Sequence, residues 1–201
     1  MKFQTGNAVK LAHEFIAPVL VPGALAVDAT AGNGHDTLFL ARGVGPQGRV
    51  YAFDIQEEAI AQTKALLERH GLLDRVTLLA ADHREMDRYV PPNVRAVMFN
   101  LGYLPGGDHR VVTRPSSTLE ALQTALALLA PGGRISMVIY TGHPGGLEEL
   151  RAVEDFAATV PPAEFVVLRI SFWNRSGRAP VVFFLEKAGA AHEGHEAKKD
   201  S

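Results

Sequence analysis

The stretch Ala26 to Ala41, AVDATAGNGHDTLFLA, reads as a buried strand, a glycine turn and the start of a helix, in that order. Gly32 and Gly34 carry no Cβ, so the backbone there can take positive φ and come close to a ligand. A strand ending in such a turn presents backbone N–H groups above Gly32 to His35. A second signal lies about twenty residues on. There the apolar run Val50 to Asp54, VYAFD, closes on a carboxylate. An acid in that place can accept hydrogen bonds from ribose hydroxyls. Together the two signals point to a nucleoside cofactor.

Bulk properties bound the rest. With 201 residues and 47% hydrophobic content, the chain suits one domain, expected over 1–187. The small, charged remainder 188–201 is expected to be disordered. No apolar run reaches the length of a bilayer span, and Met1 to Asn7 lacks a secretory apolar core, so a cytoplasmic protein without a membrane partner is expected. The absence of cysteine excludes disulfides, thiolate metal sites and cysteine nucleophiles. His192 and His195 stand three apart in the tail, which is not metalloprotease spacing, so no metal is expected. A formal charge of −2 excludes a broadly basic coat, yet leaves room for the local arginine cluster that a small folded RNA needs. The sequence leaves a homodimer open.

Taken in order, Asn7 to Leu20 has apolar residues at helical spacing with Asn7 as N-cap, and predicts a helix packed across the sheet or over the cofactor edge. His13 on it reads as structural or exposed. The first strand runs to about Ala29, followed by a helix from about Asp36 to Val44. Helix Glu57 to His70 closes at Gly71, and Arg75 to Ala81 is the third strand. Asp82 and His83 then stand at its carboxyl end, where open α/β sheets bind ligands. The fourth strand, Arg95 to Asn100, enters the glycine-rich loop Leu101 to His109. Helix Ser116 to Leu129 is expected to be closed by Pro131-Gly-Gly133, before strand Arg134 to Thr141 and the polar loop Gly142 to Gly146. A helix over Leu147 to Val160 leads to two last strands, Glu164 to Phe172 and Val181 to Glu186, whose short link suits an antiparallel pair. Strands alternating with helices and ending in a hairpin predict an open α/β sandwich with a seven-stranded, mostly parallel sheet. A terminal hairpin in such a sheet is what class I S-adenosylmethionine methyltransferases show.

Several groups can carry chemistry. Asp28, Gly32, Asn33, Gly34 and His35 form the first, although a tight strand-to-helix turn can also exist without a ligand. Thr37 stands where the dinucleotide fingerprint has its third glycine, which argues against a pyrophosphate and for S-adenosylmethionine, with Asn33 and His35 able to meet its ammonium and carboxylate. Asp54, aided by Gln56, is the ribose candidate, and Asp82 and His83 would lie beside the adenine. The alternative for Asp54 is a solvated acid opening a helix. Asn100-Leu-Gly-Tyr103 is similar in position and pattern to the Asn/Asp-Pro-Pro-Tyr loop of amino-directed methyltransferases. In that loop an amide oxygen holds the target amine and the ring stacks on the base. Leu101-Gly102 replaces both prolines, so a plain cofactor-edge loop is the competing reading. Asp108, His109, Tyr140 and His143 are candidate proton acceptors or orienting groups, and Arg110, Arg114, Arg175 and Arg178 could meet phosphates.

At DATAGNGHDTL from Asp28, FDIQ from Phe53, FNLGYLPGGD from Phe99 and GHPGG from Gly142, the chain resembles a family of small bacterial methyltransferases first labelled rRNA methylases. Members act on the wobble uridine of tRNA as 5-aminomethyl-(2-thio)uridine methyltransferases. The likeness spans Asn7 to Lys187. It implies methyl transfer from S-adenosylmethionine to the exocyclic aminomethyl nitrogen, with an anticodon stem-loop as partner. It also implies cofactor contacts at Asn33, His35, Asp54, Gln56, Asp82 and His83, with His35 and Asp82 standing where members often have Asn and Ser. An rRNA or small-molecule amine methyltransferase, and a cofactor-binding module without activity, are the alternatives.

Overall fold

The computed structural model describes residues 7–102, 115–175 and 179–189. Its elements run α1 (Ala8–Ile16), β1 (Leu25–Asp28), α2 (His35–Gly43), β2 (Arg49–Asp54), α3 (Glu57–Arg69), β3 (Val76–Ala80), α4 (Met86–Tyr89), β4 (Val94–Leu101), α5 (Pro115–Leu128), β5 (Leu129–Ile139), α6 (Gly146–Ala157), β6 (Phe165–Ile170) and β7 (Val181–Lys187). The seven strands form one sheet in the order β3-β2-β1-β4-β5-β7-β6. Strands β1 to β5 pair in parallel, and β7 lies antiparallel between β5 and β6. The strand order turns back at β1, so the crevice between the carboxyl ends of β1 and β4 is the natural ligand position.

Alternation along the strands builds a core on each side of the sheet. On β4, Val97, Phe99 and Leu101 join one buried cluster with Phe53, Leu122 and Met137, while Ala96 and Met98 join the other with Ile16, Leu40 and Leu67. Helices α5 and α6 cover the first face; α1, α2 and α3 cover the second. Asn7 caps α1 as its sequence suggests, its Oδ1 accepting from the Lys10 N–H at 3.2 Å. Phe15 stacks on Phe184 of β7 at 4.2 Å, with the Arg134 guanidinium over its ring, so α1 crosses β5 and β7. Among the described residues no helix is long and apolar enough to cross a membrane.

One expectation is corrected. Pro131-Gly-Gly133 does not separate helix from strand, because β5 begins at Leu129 directly after α5 and the three residues lie inside it. The register with β4 jumps from Val94↔Leu129 to Ala96↔Arg134, which makes the segment a bulge. Proline cannot donate to the ladder and Gly132 takes φ +71°, so both fit a bulge as well as a helix stop. The tail beyond 189 lies outside the described residues, while the Ala188 N–H donates to the Glu164 carbonyl at 2.7 Å. A Cβ at Gly133 would stand 2.9 Å from the carbonyl oxygens of Val94 and Ala130. Gly133→Ala is therefore expected to cost about 1–3 kcal/mol in urea unfolding, the usual penalty for forced overpacking.

Candidate functional site

The turn after β1 is tied to both neighbouring strands. The Ala29 N–H donates to the Met98 carbonyl of β4 at 2.9 Å, and the Ala31 N–H to the Phe53 carbonyl of β2 at 2.8 Å. Gly32 and Gly34 take φ +51° and +81°, as the glycine pattern predicts. Gly34 has a second reason to lack a side chain, since a Cβ there would lie 2.9 Å from the Thr63 backbone on α3. The Thr63 hydroxyl donates to the Gly32 carbonyl at 3.1 Å, which locks α3 against the turn.

Two carboxylates complete the turn. Asp54 Oδ2 accepts from the Gly32 N–H at 2.9 Å and Oδ1 from the Gln56 N–H at 3.0 Å. Asp54 thus stands half-buried at the end of β2, with Ile55 beside it 58% exposed. Asp28 is fully buried beneath the turn, where it accepts from the Thr37 hydroxyl at 2.6 Å and the Thr30 N–H at 3.1 Å. Its part is to hold strand, turn and helix together from below.

The other sequence candidates fall in different places. Asn33 and His35 line an open groove against Gln62, Leu66 and Arg69 of α3. Asp82 caps a short 3₁₀ turn and pairs with Arg84, whose Nε donates to it at 3.0 Å. His83 is buried, its Nδ1 3.0 Å from the Ala29 carbonyl and its ring edge-on to Phe99, so it braces the turn from underneath. Arg175 lies in the β6–β7 link with its guanidinium over the Phe172 ring at 4.6 Å. His143 follows β5, with Nδ1 2.9 Å from the Pro144 carbonyl. Tyr103, Asp108, His109, Arg110, Arg114 and Arg178 lie outside the described residues.

At the end of β4, the Asn100 N–H donates to the Thr30 hydroxyl at 2.7 Å, and its Nδ2 lies 3.3 Å from Asp36 Oδ2. Asp36 is buried in the first turn of α2, and its Oδ1 is 2.6 Å from His13 Nε2. The His13 ring stacks flat on Phe39 at 3.9 Å. Burial, and then the Asp36 charge, push the Tyr140 hydroxyl above its ordinary pKa of 10.0, so it stays protonated at neutral pH. The chain thereby brings His13, Asp36 and Asn100 into one group beside Tyr140. Sequence reasoning did not single out Asp36, and it read His13 as structural or exposed. A signal was present: Asp36 and Leu40 share the buried face of α2, and a carboxylate on an apolar face must find a partner.

Asp28, Asp36 and Asp54 crowd acidic charge around one turn, which suits a cationic ligand. An aspartate at the end of β2, an exposed apolar Ile55 next to it and an open glycine turn fit S-adenosylmethionine, a nucleoside carrying a positive sulfur.

Comparison with known proteins agrees. Residues 50–186 match the family model described as "Putative rRNA methylase". Over 195 residues the chain is 42% identical to the chloroplastic tRNA (mnm(5)s(2)U34)-methyltransferase of Arabidopsis thaliana, covering 92% of this chain and 71% of that one. The crystal structure of a "putative rRNA-methylase" from Clostridium thermocellum is similar at TM-score 0.89 and 45% identity, covering 93% of this chain and 100% of that one. A "putative methyltransferase" of Streptococcus mutans, solved in complex with SAH, is similar at TM-score 0.82 and 36% identity, covering 90% and 98%.

Burial, and then the charge of Asp36, raise the Asp28 carboxyl from its ordinary value of 3.8 to about 7. The folded protein then holds this proton more tightly than the unfolded chain. The associated stability is full below the unfolded value and is lost as pH rises through about 7. Asp28→Asn removes the charge, so its effect on Tm is expected to be more favourable near pH ~9 than near pH ~5. A difference of about 2–4 °C in thermal scans corresponds to roughly 1 kcal/mol in a chain of this size.

Proposed function

We propose that this chain, which belongs to the "Putative rRNA methylase" family and is an S-adenosylmethionine-dependent methyltransferase of class I fold, methylates an RNA amine. The specific reading is transfer to the aminomethyl nitrogen of 5-aminomethyl-(2-thio)uridine at the tRNA wobble position, giving the 5-methylaminomethyl product. The observation that carries it is Asn100, a carboxamide at the end of β4 beside the β1–β4 crevice, with its backbone bound to the turn. The 42% identical Arabidopsis thaliana relative, named for the same wobble position, supports the choice of substrate.

In this reading the cofactor, when bound, supplies a methyl group on a positively charged sulfur. Asp54 grips the ribose hydroxyls, and the Gln56 N–H holds that carboxylate in place. The Gly32 and Gly34 turn brings the backbone close, and Asn33 and His35 reach the amino-acid end. Asn100 accepts an N–H of the neutral amine and aligns its lone pair, so catalysis is mostly positioning. Tyr103 stacks on the target base, and Asp108 or His109 takes the proton released after transfer. Tyr140 and His143 border the substrate side, and Arg110, Arg114, Arg175 and Arg178 meet phosphates of the anticodon stem-loop.

The test is incubation of pure protein with isotopically labelled cofactor and tRNA lacking wobble methylation, followed by nucleoside mass spectrometry. Label in 5-methylaminomethyl-2-thiouridine is expected; label in no tRNA uridine rejects the assignment. Turnover of free amines without tRNA would favour the small-molecule reading, which the formal charge of −2 also suits. Asp54→Ala is expected to weaken cofactor binding by about 10- to 150-fold in calorimetry, the worth of a hydrogen bond to a charged group. Asn100→Ala should lower kcat by roughly 100-fold with cofactor affinity kept, as loss of positioning does.

A further inference from the structure

We propose that Asp36 and His13 form a positioning pair that fixes which end of the Asn100 carboxamide meets the methyl acceptor. The inference rests on the reading of Asn100 as the residue that holds the amine. A carboxamide has two nearly isosteric ends: an oxygen that accepts and a nitrogen that donates. Only one orientation helps. With Oδ1 toward the amine, an N–H of the nucleophile is held and its lone pair stays available. With the amide turned over, Nδ2–H donates to that lone pair and occupies the electrons that must attack the methyl group.

The geometry selects the helpful orientation. An ionised carboxylate only accepts, so the 3.3 Å contact between Asp36 Oδ2 and Asn100 requires Nδ2 at that end. The flipped amide would set two acceptor oxygens against each other inside a half-buried site. Asp36 is itself held, because its other oxygen lies 2.6 Å from His13 Nε2 and its side chain is only 8% exposed. The His13 ring lies within 2° of parallel to Phe39, which fixes its plane. The Asn100 backbone is pinned independently by its 2.7 Å bond to Thr30. Main chain and amide nitrogen are thus both tied, and Oδ1 is the end left to meet an incoming N–H. Neither His13 nor Asp36 needs to touch the reacting atoms.

Reversing donor and acceptor tests this. Asp36→Asn can donate to Asn100 Oδ1 and let the amide turn over; kcat on undermodified tRNA is expected to fall about 100-fold, equal to ~2.7 kcal/mol, with cofactor affinity within about threefold. The exchanged double variant Asp36→Asn with Asn100→Asp restores a donor facing an acceptor and presents an oxygen to the amine. It is expected to recover to within about tenfold of the parent. His13→Ala should lower kcat about tenfold and His13→Gln, which keeps a donor, should restore most of it. Independently of activity, the Asn100 side-chain NH2 pair in ¹⁵N spectra, identified by its loss in Asn100→Asp, should exchange its protons more slowly than exposed amides do.

Turnover of Asp36→Asn within about threefold of the parent, or an exchanged variant that folds, binds cofactor and recovers nothing, would overturn the pair. So would an Asn100 amide that exchanges like an exposed one. Should Asp36→Asn fail to fold, the comparison of His13→Ala with His13→Gln decides: equal loss in both contradicts the pair. Unchanged turnover in Asn100→Ala removes the amine-holding reading itself, whereas loss there with full activity in Asp36→Asn removes only the positioning pair.

Discussion

The hydrogen bond from the Gly32 N–H to the Asp54 carboxylate joins the turn after β1 to the end of β2, and the site depends on it. It sets the height of the turn above the sheet and at the same time fixes the Asp54 carboxylate, the group assigned to the ribose in the proposed function. Asp28 works from the opposite side. Buried beneath the turn, it binds Thr30 and Thr37, so the strand, the turn and the first turn of α2 move as one body. Thr63 adds the third tie, from α3. A backbone segment with two positive-φ glycines is otherwise free to sample many shapes, and these side chains leave it one.

That rigidity has an electrostatic cost. Three aspartates surround one turn, and the most buried of them holds its proton up to about pH 7. The strain is in keeping with a site made for a cation, because a positive ligand lowers the repulsion that the apoprotein bears. The same field would draw an ammonium, the resting form of an aliphatic amine, toward the crevice. The acidic cluster therefore suits a sulfonium cofactor and, on the proposed reading, an amine acceptor as well. Asn100, which the proposed function makes the amine-holding residue, stands at the end of β4, tied to the turn through Thr30.

Much of this was legible in the chain itself, and the reason is locality. A strand, a glycine turn, a helix and an acid at the end of the next strand are patterns between sequence neighbours, so β1, α2, β2 and Asp54 can be read directly. A mostly parallel sheet with a closing antiparallel pair follows from strands alternating with helices and a short last link, whereas the strand order, with β7 between β5 and β6, is set by pairing in the fold. What could not be read is contact between distant residues. The spacing of α1 predicts a helix across the sheet, but His13 and Asp36 are 23 positions apart, and nothing local says that the helix brings this imidazole to α2. His83 is expected beside an adenine at a strand end, and the 3₁₀ turn that it opens buries it with Nδ1 3.0 Å from the Ala29 carbonyl. Pro131-Gly-Gly133 is chemically suited to stopping a helix or bulging a strand, and pairing with β4 decides for the bulge.

The central claim is that a nucleoside with a positive sulfur lies over the carboxyl ends of β1, β2 and β4, its sugar on Asp54 and its reactive end toward Asn100. A crystal structure of the protein grown with S-adenosylhomocysteine measures this most directly. The account predicts density along that edge, with both ribose hydroxyls within hydrogen-bond distance of Asp54 and the sulfur on the Asn100 side. Density in another cleft, or none at saturating ligand, would contradict it.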